Sequence, residues 1–161
     1  YLLAWYRDPV KSNGGYSLEL INPENENCPP ASNWRASDAP EGGTPGAVNS
    51  VFSAQGDTVA PLLLSAFVIS PNIVEVCFNE SMDPASLSLT TSYQIDGGIG
   101  TPLGVQIEDA DNRCVSLAFP NGLEAGTIYT LSVSGISDCS GNVLAAAQTA
   151  ELVIGGIAAP Y

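Results

Sequence analysis

Between residues 62 and 154, short runs rich in β-branched and aromatic residues recur at short intervals, with Gly, Pro, Asn, Asp or Ser between them. That punctuation belongs to a sandwich or barrel of antiparallel strands. Seven strands are predicted: Leu62–Ser70, Ile73–Asn79, Tyr93–Asp96, Leu103–Glu108, Arg113–Phe119, Thr127–Ser134 and Thr149–Ile154. Side chains alternate in direction along a strand. Val74, Val76 and Phe78 therefore share one face, as do Val115, Leu117 and Phe119, while Tyr129, Leu131 and Val133 oppose Ile128, Thr130 and Ser132. One helical turn is expected at Pro84–Leu89, where Asp83 offers a cap and proline occupies the first helical position. Helix is expected to be nearly absent elsewhere.

Parity then restricts the pairing. If the second strand runs against the fifth, as in immunoglobulin-like sandwiches, the apolar faces coincide when Val76 opposes Val115 and Val74 opposes Leu117. The same register sets Cys77 opposite Cys114 on the outer face. Directly opposed Cβ atoms lie about 4.5–5.5 Å apart, close enough for a disulfide after modest adjustment. Closing that loop would stabilise the fold by about 4 kcal/mol in the chain-entropy account. Cys28 and Cys139 are left, to join each other or, for Cys28, a cysteine beyond this sequence. No Cys-x-x-Cys spacing occurs among the four. Two disulfides are therefore expected, and with them an oxidising, exported setting.

Residues 1–56 have a different texture. Extended pieces are expected at Tyr1–Tyr6 and Gly15–Ile21, followed by an irregular stretch through Cys28, Pro29, Pro30, Trp34 and Gly42-Gly43-Thr44-Pro45-Gly46. Ordering such a stretch costs about 1–2 kcal/mol of backbone entropy per residue, so it must lean on something larger. The run Ala60–Ile69 is interrupted by Pro61 and Ser65 and is about half the ~20 residues that a membrane helix needs. No direct membrane insertion is expected. The opening Tyr-Leu-Leu-Ala-Trp lacks an initiator Met and a basic leader region, and reads as a segment of a longer protein.

Two stretches carry a family resemblance. Gly15-Tyr16-Ser17-Leu18-Glu19-Leu20-Ile21-Asn22-Pro23, Asn33-Trp34-Arg35-Ala36-Ser37, Gly42-Gly43-Thr44-Pro45-Gly46 and Asn49-Ser50 resemble the C-terminal end of a bacterial lamin-tail domain. A second set resembles a bacterial immunoglobulin-like domain of the S-layer-protein type. It comprises Asp57-Thr58-Val59-Ala60-Pro61, Val76-Cys77-Phe78-Asn79-Glu80-Ser81-Met82-Asp83, Ser92-Tyr93 and Asp138-Cys139-Ser140-Gly141-Asn142. The resemblance implies an all-β chain in which the last strands of a lamin-tail domain (1–56) precede an immunoglobulin-like β-sandwich of about seven strands (57–155), with 156–161 as a linker to a following module. It also implies a non-catalytic spacer in a large exported surface protein, an adhesin, stalk or filament. The alternative is a carbohydrate-binding accessory module of a secreted hydrolase or nuclease. Asn79 departs from the serine usual in the Phe-Ser-Glu motif of that family.

The residue inventory narrows the chemistry. With no histidine, imidazole bases, Ser-His-Asp triads and His-ligated zinc are excluded. Four basic residues against 17 acidic ones, a net charge of −13, leave nothing to neutralise a phosphate backbone, so nucleic acid is not an expected partner. Glu80 with Asp83, or Glu108 with Asp109 and Asp111, offer paired carboxylates, but glycosidases hold theirs about 5–9 Å apart around a cleft that a small sandwich lacks. Asp109, Asp111 and Asn112 place oxygen atoms at alternate turn positions, a partial calcium-loop pattern without its Gly and distal Glu; a solvated hairpin turn is the competing reading. No other cofactor is expected. Asp138 with Gly141 and Asn142 reads as an Asx-type turn. Trp5 and Trp34, with Tyr6 and Tyr16 nearby in sequence, are candidate sugar-stacking residues, against a role for Trp34 in capping the core. Asp57-Thr58-Val59 resembles a bacterial O-glycosylation signal, which makes Thr58 a candidate modification site. Expected partners are neighbouring modules of the same polypeptide, and glycans or other surface proteins.

Overall fold

The computed structural model describes residues 3–25, 28–53 and 57–154, and the chain falls into two compact units, Tyr1–Thr58 and Val59–Tyr161. The expected linker 156–161 lies outside the described residues.

In the first unit, β1 (Leu18–Leu20) pairs antiparallel with β2 (Trp34–Ala36), and α1 (Pro30–Asn33) leads into β2. The register Leu18↔Ala36, Glu19↔Arg35, Leu20↔Trp34 puts Leu18, Leu20, Trp34 and Ala36 on one face and Glu19 with Arg35 on the other. The turn after β1 is held by a buried amide: Asn33 Nδ2 donates to the carbonyls of Asn22 and Asn25 at 2.7 and 3.1 Å, and Asn33 Oδ1 accepts from the Asn22 N–H at 2.9 Å. Of the expected extended piece Tyr1–Tyr6, Leu3–Tyr6 forms a 3-10 turn rather than a strand, and Tyr1 and Leu2 lie outside the described residues. A second 3-10 turn, Lys11–Asn13, follows. Aromatic and β-branched content favours extension only where a neighbouring strand supplies a ladder, and residues 3–6 pair with none among the described strands.

The second unit is an antiparallel sandwich, and all seven expected strands occur with no end displaced by more than one residue. They are β3 (Leu63–Ser70), β4 (Ile73–Phe78), β5 (Tyr93–Ile95), β6 (Gly104–Ile107), β7 (Cys114–Ala118), β8 (Ile128–Val133) and β9 (Gln148–Val153). One sheet has the order β3-β4-β7-β6 and the other β5-β8-β9. β4 and β7 pair with Val76 opposite Val115, Val74 opposite Leu117 and Cys77 opposite Cys114, the register that the alternation demands. Inward residues Val74, Val76, Phe78, Val115, Leu117, Tyr93, Ile95, Leu131, Val133 and Leu152 are buried in one core. Each large apolar side chain so buried contributes roughly 1.5–3 kcal/mol.

The connections add their own support. α2 (Pro84–Leu87) starts where Asp83 accepts the Ser86 N–H at 2.8 Å, as the cap-then-proline pattern requires. Tyr93, fully buried, donates its hydroxyl to the Leu87 carbonyl at 2.7 Å. Burial pushes that phenol's pKa well above its ordinary value. At the start of β3, the Leu63 N–H donates to Gln148 Oε1 at 2.6 Å. Beyond these, short helical turns appear at α1 and at Thr90–Ser92, more than the single turn expected.

Candidate functional site

The 3-10 turn Leu3–Tyr6 and one face of the β1–β2 pair enclose a cleft of about 350 Å³ lined by Trp5, Tyr6, Leu18 and Trp34. Leu18 and Trp34 arrive there because the strand register sets them on the same face. The two tryptophans, 29 residues apart in sequence, thus meet across one space, and both remain half-buried. Tyr16 does not join them: its ring lies under Lys11, whose Nζ is 5.3 Å from the ring centroid, a cation–π contact.

On the opposite face of β1, Glu19 is almost completely buried. Thr44 Oγ1 donates to Oε1 and Ser50 Oγ to Oε2, both at 2.7 Å, and Ser37 Oγ lies 3.0 Å from Ser50 Oγ. Desolvation works to raise the Glu19 pKa. Hydrogen bonds from Thr44, Ser50 and Ser37 outweigh it and hold the carboxyl down at about 2. Sequence reasoning missed this residue, since a lone Glu in a strand carries no sign that its partners are 25 and 31 positions away. Nearby, Asp38 accepts from Lys11 at 2.8 Å and from Arg35. The hydrogen bond from Lys11 leads in lowering the Asp38 pKa, with the charge of Arg35 acting in the same direction.

In the second unit, Cys77 and Cys114 are joined, with Cα atoms 4.1 Å apart. Cys28 and Cys139 are likewise in disulfide form, and no cysteine is free. Two of the candidate acid–nucleophile carboxylates are engaged by backbone groups. Asp83 caps α2, and Asp109 Oδ1 accepts the backbone N–H groups of Arg113 and Cys114 at 2.8 and 3.1 Å.

The turn containing Asp109, Asp111 and Asn112 is closed from within. Asn112 adopts φ +53° and donates its N–H to the Asp109 carbonyl at 3.2 Å. No cluster of three carboxylate or thiol groups among the described residues includes Asp109 or Asp111. Asp138 forms the expected Asx turn: Oδ1 accepts from the Ser140 and Asn142 N–H groups, each at 2.8 Å, and Oδ2 from Asn142 Nδ2 at 2.7 Å, while Gly141 has φ +93°. A carboxylate oxygen of Glu80 comes within 4.8 Å of one on Asp138, a proximity across 58 positions that nothing local announces. Thr58 is exposed.

Two antiparallel sheets closing on a single apolar core, with this strand order, define an immunoglobulin-like sandwich. Residues 44–153 match the family described as bacterial Ig-like domain, and the chain belongs to that family. The match begins ahead of the expected start at residue 57. No curated protein matches the chain. Among solved structures, domains 1–6 of the surface layer protein SbsC are similar at 21% identity and TM-score 0.54, over 60% of this chain and 14% of that one. The N-terminal part of the bacterial S-layer protein SbsC is similar at 21% identity and TM-score 0.52, over 58% of this chain and 23% of that one. The likeness is one of fold, and this chain spans under a quarter of the length of the proteins it matches.

Proposed function

We propose that the chain is a non-catalytic, load-bearing spacer of a large cell-surface protein, with residues 1–56 the end of a lamin-tail domain and neighbouring modules of the same polypeptide as its partners. The observation that carries this reading is the Cys77–Cys114 bridge between β4 and β7, the two inner strands of the larger sheet. A covalent tie at that place keeps the sheet from being drawn apart strand by strand. The fold likeness to surface-layer proteins supports the location, and the packing of the core by side chains accords with a mechanical rather than a chemical role. Exposed Thr58 is proposed to carry sugar in the exported protein, which intact mass would register.

Single-molecule extension of the whole chain tests the mechanical reading. The bridge closes a sequence separation of 37 residues, and at roughly 3.5 Å per residue it hides about 130 Å of contour length. Unfolding of the second unit should lengthen by that amount after reduction, with a lower unfolding force. Equal force before and after reduction would remove the bridge from any load-bearing role.

A further inference from the structure

We propose that the cleft formed by Trp5, Tyr6, Leu18 and Trp34 binds one uncharged pyranose ring of a surface or environmental glycan. This goes beyond a spacer role and does not depend on it. Both tryptophans of the chain line this one cleft. In an ordinary core they would be sealed against neighbours, whereas here Trp5, Tyr6 and Trp34 all stay half-buried, and the apolar side chains buried among the described residues of this unit, Pro29, Ala36 and Val51, are small. A volume of about 350 Å³ falls at the lower end of small-ligand sites.

The chemistry of the walls selects the guest. An aromatic face is electron-rich, and a pyranose ring offers it a face of weakly positive C–H bonds while its hydroxyl groups stay at the rim in water. None of the described residues that line the cleft is charged. An anionic guest would approach a chain of net charge −13 against a repulsive field. A quaternary ammonium guest would also suit aromatic walls. No acidic side chain among the described residues lines the cleft to pair with such a cation, and three of the four basic residues of the whole chain, Arg7, Lys11 and Arg35, belong to this one unit. The uncharged ring is the guest that needs no ionic partner from these walls.

Because all indole emission originates from the two lining tryptophans, fluorescence reports on the cleft alone. The full chain would be titrated with cellohexaose, chitohexaose and mannohexaose, with polygalacturonate and choline as charged probes, followed by calorimetry. At least one neutral oligosaccharide should give a saturable spectral shift, protect the indoles from acrylamide and bind equally at low and high salt. Trp5→Ala and Trp34→Ala should each weaken binding by about tenfold or more. Trp5→Tyr, which keeps an aromatic face, should retain most of it and guards against a folding defect in the alanine variants. Absence of a saturable response to all three neutral probes, a response to the charged probes only, or binding unchanged in both alanine variants would each overturn the proposal.

Discussion

Cys77 faces Cys114 across the two inner strands of the larger sheet, and the outward direction of both follows from the inward direction of Val76 and Val115. The bridge therefore adds a covalent tie without displacing any core side chain. Its removal should act chiefly through the unfolded chain, which gains the freedom of a 37-residue separation. The double variant Cys77→Ser, Cys114→Ser is expected to keep its fold and lose about 4 kcal/mol in denaturant unfolding. A loss well under 1 kcal/mol would mean that the reduced, unfolded chain is already constrained there.

Glu19 makes the first unit sensitive to acid. Its pKa is held at about 2 in the folded protein against 4.5 as the ordinary value. A depressed folded pKa contributes stability that is fully present above about pH 4.5 and is lost as the pH falls toward 2. Thermal unfolding followed by indole fluorescence should show that decline. Glu19→Gln should be less stable at neutral pH and flatter across the same interval. An identical acid slope in both proteins would place the titrating group elsewhere; Asp38, whose pKa is also lowered, is then the residue to exchange.

Gly42 admits no side chain. It has φ +84°, and a Cβ built there would stand 1.9 Å from the Gly15 carbonyl oxygen. Its own carbonyl accepts the Ser17 N–H at 2.6 Å just ahead of β1. Gly42→Ala combines left-handed backbone strain with overpacking that costs about 1–3 kcal/mol. Hydrogen exchange should accelerate at Ser17 and through β1 while β4 and β7 keep their protection. Unchanged exchange at Ser17 would show that the loop can step aside.

The seven strands, the β4–β7 register, the α2 cap and the Cys77–Cys114 pairing were legible in the sequence. Each depends on a local period of two or on a cap within three residues, and parity carries that local information across a strand pair. Residues 3–6 were misread as extended, since extension there would need a pairing strand that local content does not reveal. The meeting of Trp5 with Trp34, the seating of Glu19 among Thr44, Ser50 and Ser37, and the closeness of Gly42 to Gly15 belong to the tertiary structure. They join segments without any shared period, through turns whose course depends on side-chain hydrogen bonds such as those of Asn33. Alternation of side chains settled which faces are buried; only the path of the irregular connections decided which distant groups would share a site.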